Sequence, residues 1–167
     1  MDQPTFSNAF TRIVARFDKV PAPIRRWARS KAFGRFIKFA GTAGVDFEEV
    51  TTERVICNIH NVSRNQNHIK GVHAAAMALL AETATGFAVG MNLPDDKLPL
   101  LKSMKVEYLK RAQGNLRAVA ALTAEQVATV RSLEKGDVTV PVTVTDESGN
   151  EPIRCEMIWA WVPKKRS

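Results

Sequence analysis

Cysteine is scarce in this chain: Cys57 and Cys155 lie far apart in strand-like runs, with no C-x-x-C spacing. That excludes a disulfide-stapled scaffold and fits a reducing compartment. His60, His68 and His73 have no cysteine or second carboxylate at ligand spacing beside them, so no metal centre is expected. There is no G-x-S-x-G elbow, no Walker loop and no dinucleotide fingerprint, which removes the classical serine hydrolases and nucleotide-binding enzymes. The opening MDQPTFSNAFTRIVARF has neither a continuous apolar core nor a small-residue cleavage site, so no secretory signal is read there. Repeats and low-complexity tracts are absent too, which excludes a solenoid.

What is present is enough for one domain with a sizeable core: 167 residues of ordinary apolar content. The net charge of +7 is unevenly placed. Residues 1–44 hold nine of the 24 Lys and Arg against two of the 17 acidic residues, and the remainder balances. The chain therefore divides into a basic N-terminal arm, 1–44, and a domain, 45–167. In the arm Phe6, Phe10, Ile13, Val14 and Phe17 repeat at helical intervals, Pro21 and Pro23 interrupt, and a second helix covers Ile24 to Ile37. Its basic face suits an anionic membrane, nucleic acid, coenzyme A phosphates or plain solvent.

The chain is organised around Asn67 to Met91, NHIKGVHAAAMALLAETATGFAVGM. From Val72 onward this run is apolar or small on nearly every side, which predicts a helix enclosed by the rest of the protein. Glu82 is its one carboxylate, and an ionised carboxylate buried without partners costs several kcal/mol or takes a raised pKa. It also argues against a membrane span. Asn67, Gly71 and His73 stand where an extended segment turns into this helix, whose free N–H groups attract anions and developing oxyanions.

Strand patterns surround the helix. Val45–Val50 and Glu53–Val62 read as a hairpin; Met104, Val106 and Tyr108 alternate; Leu116–Leu122 follow. Val138, Val140, Val142 and Val144 keep a period of two, and Ile153–Val162 puts Cys155, Met157, Trp159 and Trp161 on one side. Thr123–Gly136 is compatible with a short helix or a bulged strand, with the strand preferred. The predicted class is α+β: a curved antiparallel sheet wrapped around one long buried helix, with an N-terminal helical arm.

Asn67, His73 and the Leu80-Ala81-Glu82 triplet resemble the N-x-x-G-x-x-H-G-G segment and following L-A-D/E of hotdog-fold acyl-CoA thioesterases, in the phenylacetate-degradation thioesterase-like branch. Gly71 sits one place later than that pattern's first glycine, and Ala74 and Ala75 replace its two later ones. The resemblance implies a hotdog fold over roughly Gly44 to Pro163 and hydrolysis of an acyl-CoA thioester. Glu82 would be general base or nucleophile, Asn67 would hold water or the departing carboxylate, and His73 would orient the thioester. Gly71, Val72, Ala74 and Ala75 would line the substrate near an oxyanion site. Related enzymes add a serine or threonine from the partner subunit's strand; Ser103 is the candidate here, with Leu101 competing for the place. Lys105, Lys110 and Arg111 are candidates for coenzyme A phosphates. No cofactor is implied beyond coenzyme A within the substrate. A cytoplasmic homodimer or homotetramer acting on a medium-length or aromatic acyl group follows, with the arm separate from the chemistry. Two alternatives stand beside it: a non-catalytic acyl-CoA-binding or regulatory hotdog domain, and an interaction protein working through its basic arm.

Overall fold

The computed structural model describes residues 6–165. Three helices precede the sheet: α1 (Ala9–Phe17), α2 (Ala22–Phe36) and α3 (Lys38–Ala43). α1 begins with a capping box, in which Asn8 accepts the Thr11 N–H and the Thr11 hydroxyl accepts the Asn8 N–H. The third helix was not expected from the sequence. Glycine allows it: a Cβ on Gly41 would stand 2.1 Å from the Gly34 carbonyl oxygen, so only glycine lets α3 fold back on α2. Gly44, at φ 69°, ends it in the left-handed conformation.

These helices dock through phenylalanines. Phe33 meets Phe47 and Phe87 edge to face, with ring centroids 5.1 and 4.8 Å apart, and Phe10 meets Phe87 at 5.5 Å. Arg29 supplies a polar tie. Its buried guanidinium donates to the carbonyls of Phe47 at 2.7 Å and Glu48 at 2.6 Å, and burial lowers its pKa. Two other arm cations pair with carboxylates of the domain at the surface, Arg12 with Asp95 and Arg26 with Asp46.

The sheet is antiparallel throughout. One part runs in the order β1 (Asp46–Val50), β2 (Val55–Ile59), β4 (Leu116–Ala120), β6 (Val142–Asp146). The other runs β3 (Lys97–Tyr108), β7 (Ile153–Pro163), β5 (Gly136–Val140). The valine run with period two is therefore two strands. Pro141, which has no N–H to donate, divides it: the half before pairs with β7 and the half after with β4, so one bent segment joins both parts.

The apolar run forms α4 (Ala74–Gly90), cradled by β2, β4, β6, β7 and β3. The curved sheet around one long helix is the hotdog fold anticipated above. Where a bulged strand was preferred, the structure has a helix, α5 (Ala124–Ser132). Thr123 and Gln126 form its capping box, which outweighs the modest strand propensity of the segment. No helix among the described residues is long and apolar enough to cross a membrane.

Candidate active site

Between Met77 and Gly90 every residue of α4 is buried except Glu82 and Gly86, which stand one turn apart on one face. That face opens onto a cavity of about 500 Å³. Phe10 and Ile13 of α1, Phe36 and Ile37 at the α2–α3 junction, Leu98 and Pro99 of β3, and Trp159 of β7 line it with Phe87 and Gly90. The Trp159 indole N–H donates to the Thr85 hydroxyl at 2.9 Å, which fixes the ring over Gly86. A Cβ at position 86 would stand only 2.8 Å from that ring, so glycine there makes room for an aromatic wall.

Glu82 has little to hold its charge. Its carboxylate accepts one long hydrogen bond, from the Thr83 hydroxyl at 3.4 Å, and no cation pairs with it among the described residues. Burial pushes its pKa above the ordinary carboxylate value, and the Thr83 bond offsets this only in part. Neither Thr85 nor Asn67 hydrogen-bonds its carboxylate. The Thr85 hydroxyl is within bonding distance of the Ala81 and Glu82 carbonyls as well as the indole. The other ionisable groups bordering the cavity bond elsewhere, the two lysines to neutral carbonyls. Asp95 accepts from the Ala9 N–H and Arg12, Lys97 donates to the Leu133 carbonyl, and Lys164 donates to the Asp95 carbonyl. Glu82 is thus a desolvated proton acceptor facing apolar space, the setting in which enzymes bring a carboxyl toward working pH.

The remaining motif residues gather at the start of α4. The Asn67 side-chain oxygen accepts the N–H groups of Ile69 at 3.0 Å and Gly71 at 3.1 Å, which closes the turn before the helix. Val72 is buried and bridges to Gln66. His73 is the N-cap: its Nδ1 accepts the Ala75 N–H at 3.0 Å, while its own N–H donates to the Asn65 carbonyl at 2.7 Å. Ala74 therefore keeps the one N–H of this first turn that has no acceptor among the described residues. Arg111 joins the loop by donating to the Ile69 carbonyl at 2.9 Å, and the Tyr108 hydroxyl reaches the Ala74 carbonyl at 3.0 Å.

The strand candidates lie on β3, the sheet's outer edge. Lys102 is the extra residue of a bulge between Leu101 and Ser103, and Ser103 is exposed. Lys105 pairs with Glu107 at 3.2 Å, while Lys110, just beyond the strand, reaches Asn150 at 3.4 Å. The structure thus brings together Asn67, Gly71, His73, Ala74 and Arg111, but Glu82 lies eight residues beyond Ala74, about 12 Å along the helix. The cavity-lining residues Phe10, Phe36, Leu98 and Trp159 carry no local motif. In the arm, only the helical repeat that includes Phe10 pointed toward one of them.

Solved structures of the same architecture extend over most of the chain. A Pseudomonas aeruginosa protein of unknown function, called a probable thioesterase, has 22% identity and a TM-score of 0.73 over 87% of this chain and 97% of its own. A Haemophilus influenzae thioesterase has 12% identity and a TM-score of 0.62, covering 77% of this chain and 85% of its own. A mutant thioesterase enzyme from Staphylococcus aureus has 16% identity and a TM-score of 0.63, covering 75% of this chain and 99% of its own. At these identities the likeness establishes the fold. No curated protein matches the sequence. Residues 25–162 match one family along their whole length, and the chain belongs to it: the Domain of unknown function family DUF4442.

Proposed function

We propose that this chain hydrolyses an acyl-CoA thioester to a free acid and coenzyme A, with Glu82 as general base. The observation that carries this reading is the desolvated, cation-free carboxylate of Glu82 on the wall of an apolar cavity. A water held at Glu82 attacks the thioester carbonyl and gives its proton to the carboxylate. The tetrahedral oxyanion then expels the coenzyme A thiolate, which takes that proton up, and the acid is left behind. The likeness to proteins named as thioesterases supports the reading through the fold.

The oxyanion donor has to come from elsewhere than the same protomer's first turn, about 12 Å away along α4. In the enzymes this chain resembles, a partner subunit completes the site. Edge strand β3 favours such a partner, because twelve residues of unpaired edge expose Leu98, Leu100, Leu101, Met104 and Tyr108. A two-fold pair along β3 would add a second strand beside Ser103 and a second α4, with its unbonded Ala74 N–H, to the assembly.

One observation favours the binding-only alternative: alanines replace the glycine pair after His73, and the Ala75 N–H is already engaged. A panel of acyl-CoA substrates with a free-thiol readout decides between them. Thiol release that falls with Glu82→Gln supports the enzyme, and tight acyl-CoA binding without release supports the binding domain.

A further inference from the structure

We infer that the N-terminal helices are part of the substrate site, forming the far wall of the pocket, and that they select an aliphatic acyl group of medium length. This rests on the acyl-thioester reading above and extends it to the arm. It runs against the expectation that arm and chemistry are separate, and it is argued from the cavity, which Phe10, Ile13 and Phe36 line together with Glu82.

The length follows from the helix face. Glu82, Gly86 and Gly90 line the cavity at one-turn intervals, so the carboxylate marks one end and Gly90 the other. α1 closes the Gly90 end. The Asn8 side chain donates to the carbonyls of Gly90 and Leu93 at 2.8 and 2.7 Å, and the Phe10 ring lies within 3.7 Å of where a Gly90 Cβ would stand. Eight residues of helix rise span about 12 Å, room for an extended chain of about ten carbons rather than one ring.

The cavity also accounts for two of the arm's exposed hydrophobics: Ile13 is 42% and Phe36 73% exposed, and both line it, where a bound chain would cover them.

The test uses S-alkyl coenzyme A thioethers from butyl to hexadecyl, which bind without turning over, titrated calorimetrically into the full chain. Wild-type affinity should rise about three- to fourfold per methylene up to about ten carbons and then level off. Ile13→Trp, which fills the arm wall, should weaken the decyl ligand at least tenfold and the butyl ligand less than twofold. Phe36→Ala should move the plateau to longer chains. Trp27→Ala, on the outer side of α2, serves as the arm control and should leave the series unchanged. Thermal melts establish folding, and if Ile13→Trp does not fold, Phe36→Ala decides alone. An affinity flat with chain length, or arm substitutions that change butyl and decyl equally, overturns the inference. A length-dependent series with no thiol release from decanoyl-CoA would sink the hydrolase reading while sustaining this one. Thiol release with a flat series would do the reverse.

Discussion

The first turn of α4 and its face from Glu82 to Gly90 belong to one helix yet meet opposite surroundings. At the first turn, His73 and Ala75 are exposed, the histidine bonds a backbone N–H, and loop and strand side chains crowd in from Arg111 and Tyr108. Along the other face, phenylalanines and a tryptophan form an apolar wall beside a single, partly buried carboxylate. A helix N-terminus stabilises negative charge as it develops, whereas an apolar wall makes a carboxylate hungry for a proton. Acyl transfer needs both effects at one carbonyl, and the separation between them within a protomer is the reason a second copy enters the proposal.

The sharpest way to break this comparison is Glu82→Gln, which keeps the shape and removes the proton-accepting oxygen. Turnover should fall by a factor of roughly a hundred or more while circular dichroism stays that of wild type. Retained turnover in the folded variant would end the base assignment. Burial raises this carboxyl's pKa, so its contribution to stability is full below the ordinary carboxylate value and is lost as pH rises through the folded value. Glu82→Gln should therefore melt no lower than wild type at neutral pH, and its melting temperature should lose that pH dependence.

Next in size is the edge. Wild type at micromolar concentration should sediment as at least a dimer; Leu101→Glu combined with Met104→Glu places charge on β3, and this variant should sediment as a monomer with turnover reduced more than tenfold. A fully active monomer would return the whole site to one chain. The pH profile comes third: kcat/KM should climb with pH through an inflection above the ordinary carboxylate range, set by the desolvated Glu82. An inflection at or below the ordinary value would mean that water reaches the carboxylate freely. The smallest effect belongs to the other end of the helix. His73→Ala removes an N-cap bond and should cost about 1 kcal/mol in urea unfolding. A loss of turnover approaching that of Glu82→Gln, with so small a change in stability, would make His73 a participant in the chemistry rather than a cap.

Much of this was legible in the residues. An apolar run broken by one carboxylate announced both α4 and Glu82, and the strand patterns placed most of the sheet. Pro141 was visible but hidden by the unbroken alternation of valines around it, because periodicity reports which side faces the core and not which neighbour supplies the hydrogen bonds. α5 carried a readable signal, Thr123-x-x-Gln126, that its weak amphipathicity obscured. The pocket had no such signal. Phe10, Phe36, Leu98 and Trp159 become neighbours only through the fold, so no window along the chain contains them together.

The attachment of Asn8 to the carbonyls of Gly90 and Leu93 also constrains the order in which the molecule can be made. These contacts span 82 and 85 residues of sequence. The arm leaves the ribosome first, but the surface that receives Asn8 and Phe10 does not exist until the central helix has followed. For that interval α1 presents an unpartnered greasy stripe beside a dense positive charge. Long-range closure of this kind slows folding and lengthens exposure to wrong partners. The residues that finish the pocket in the mature protein are thus the ones most in need of protection while it is being synthesised.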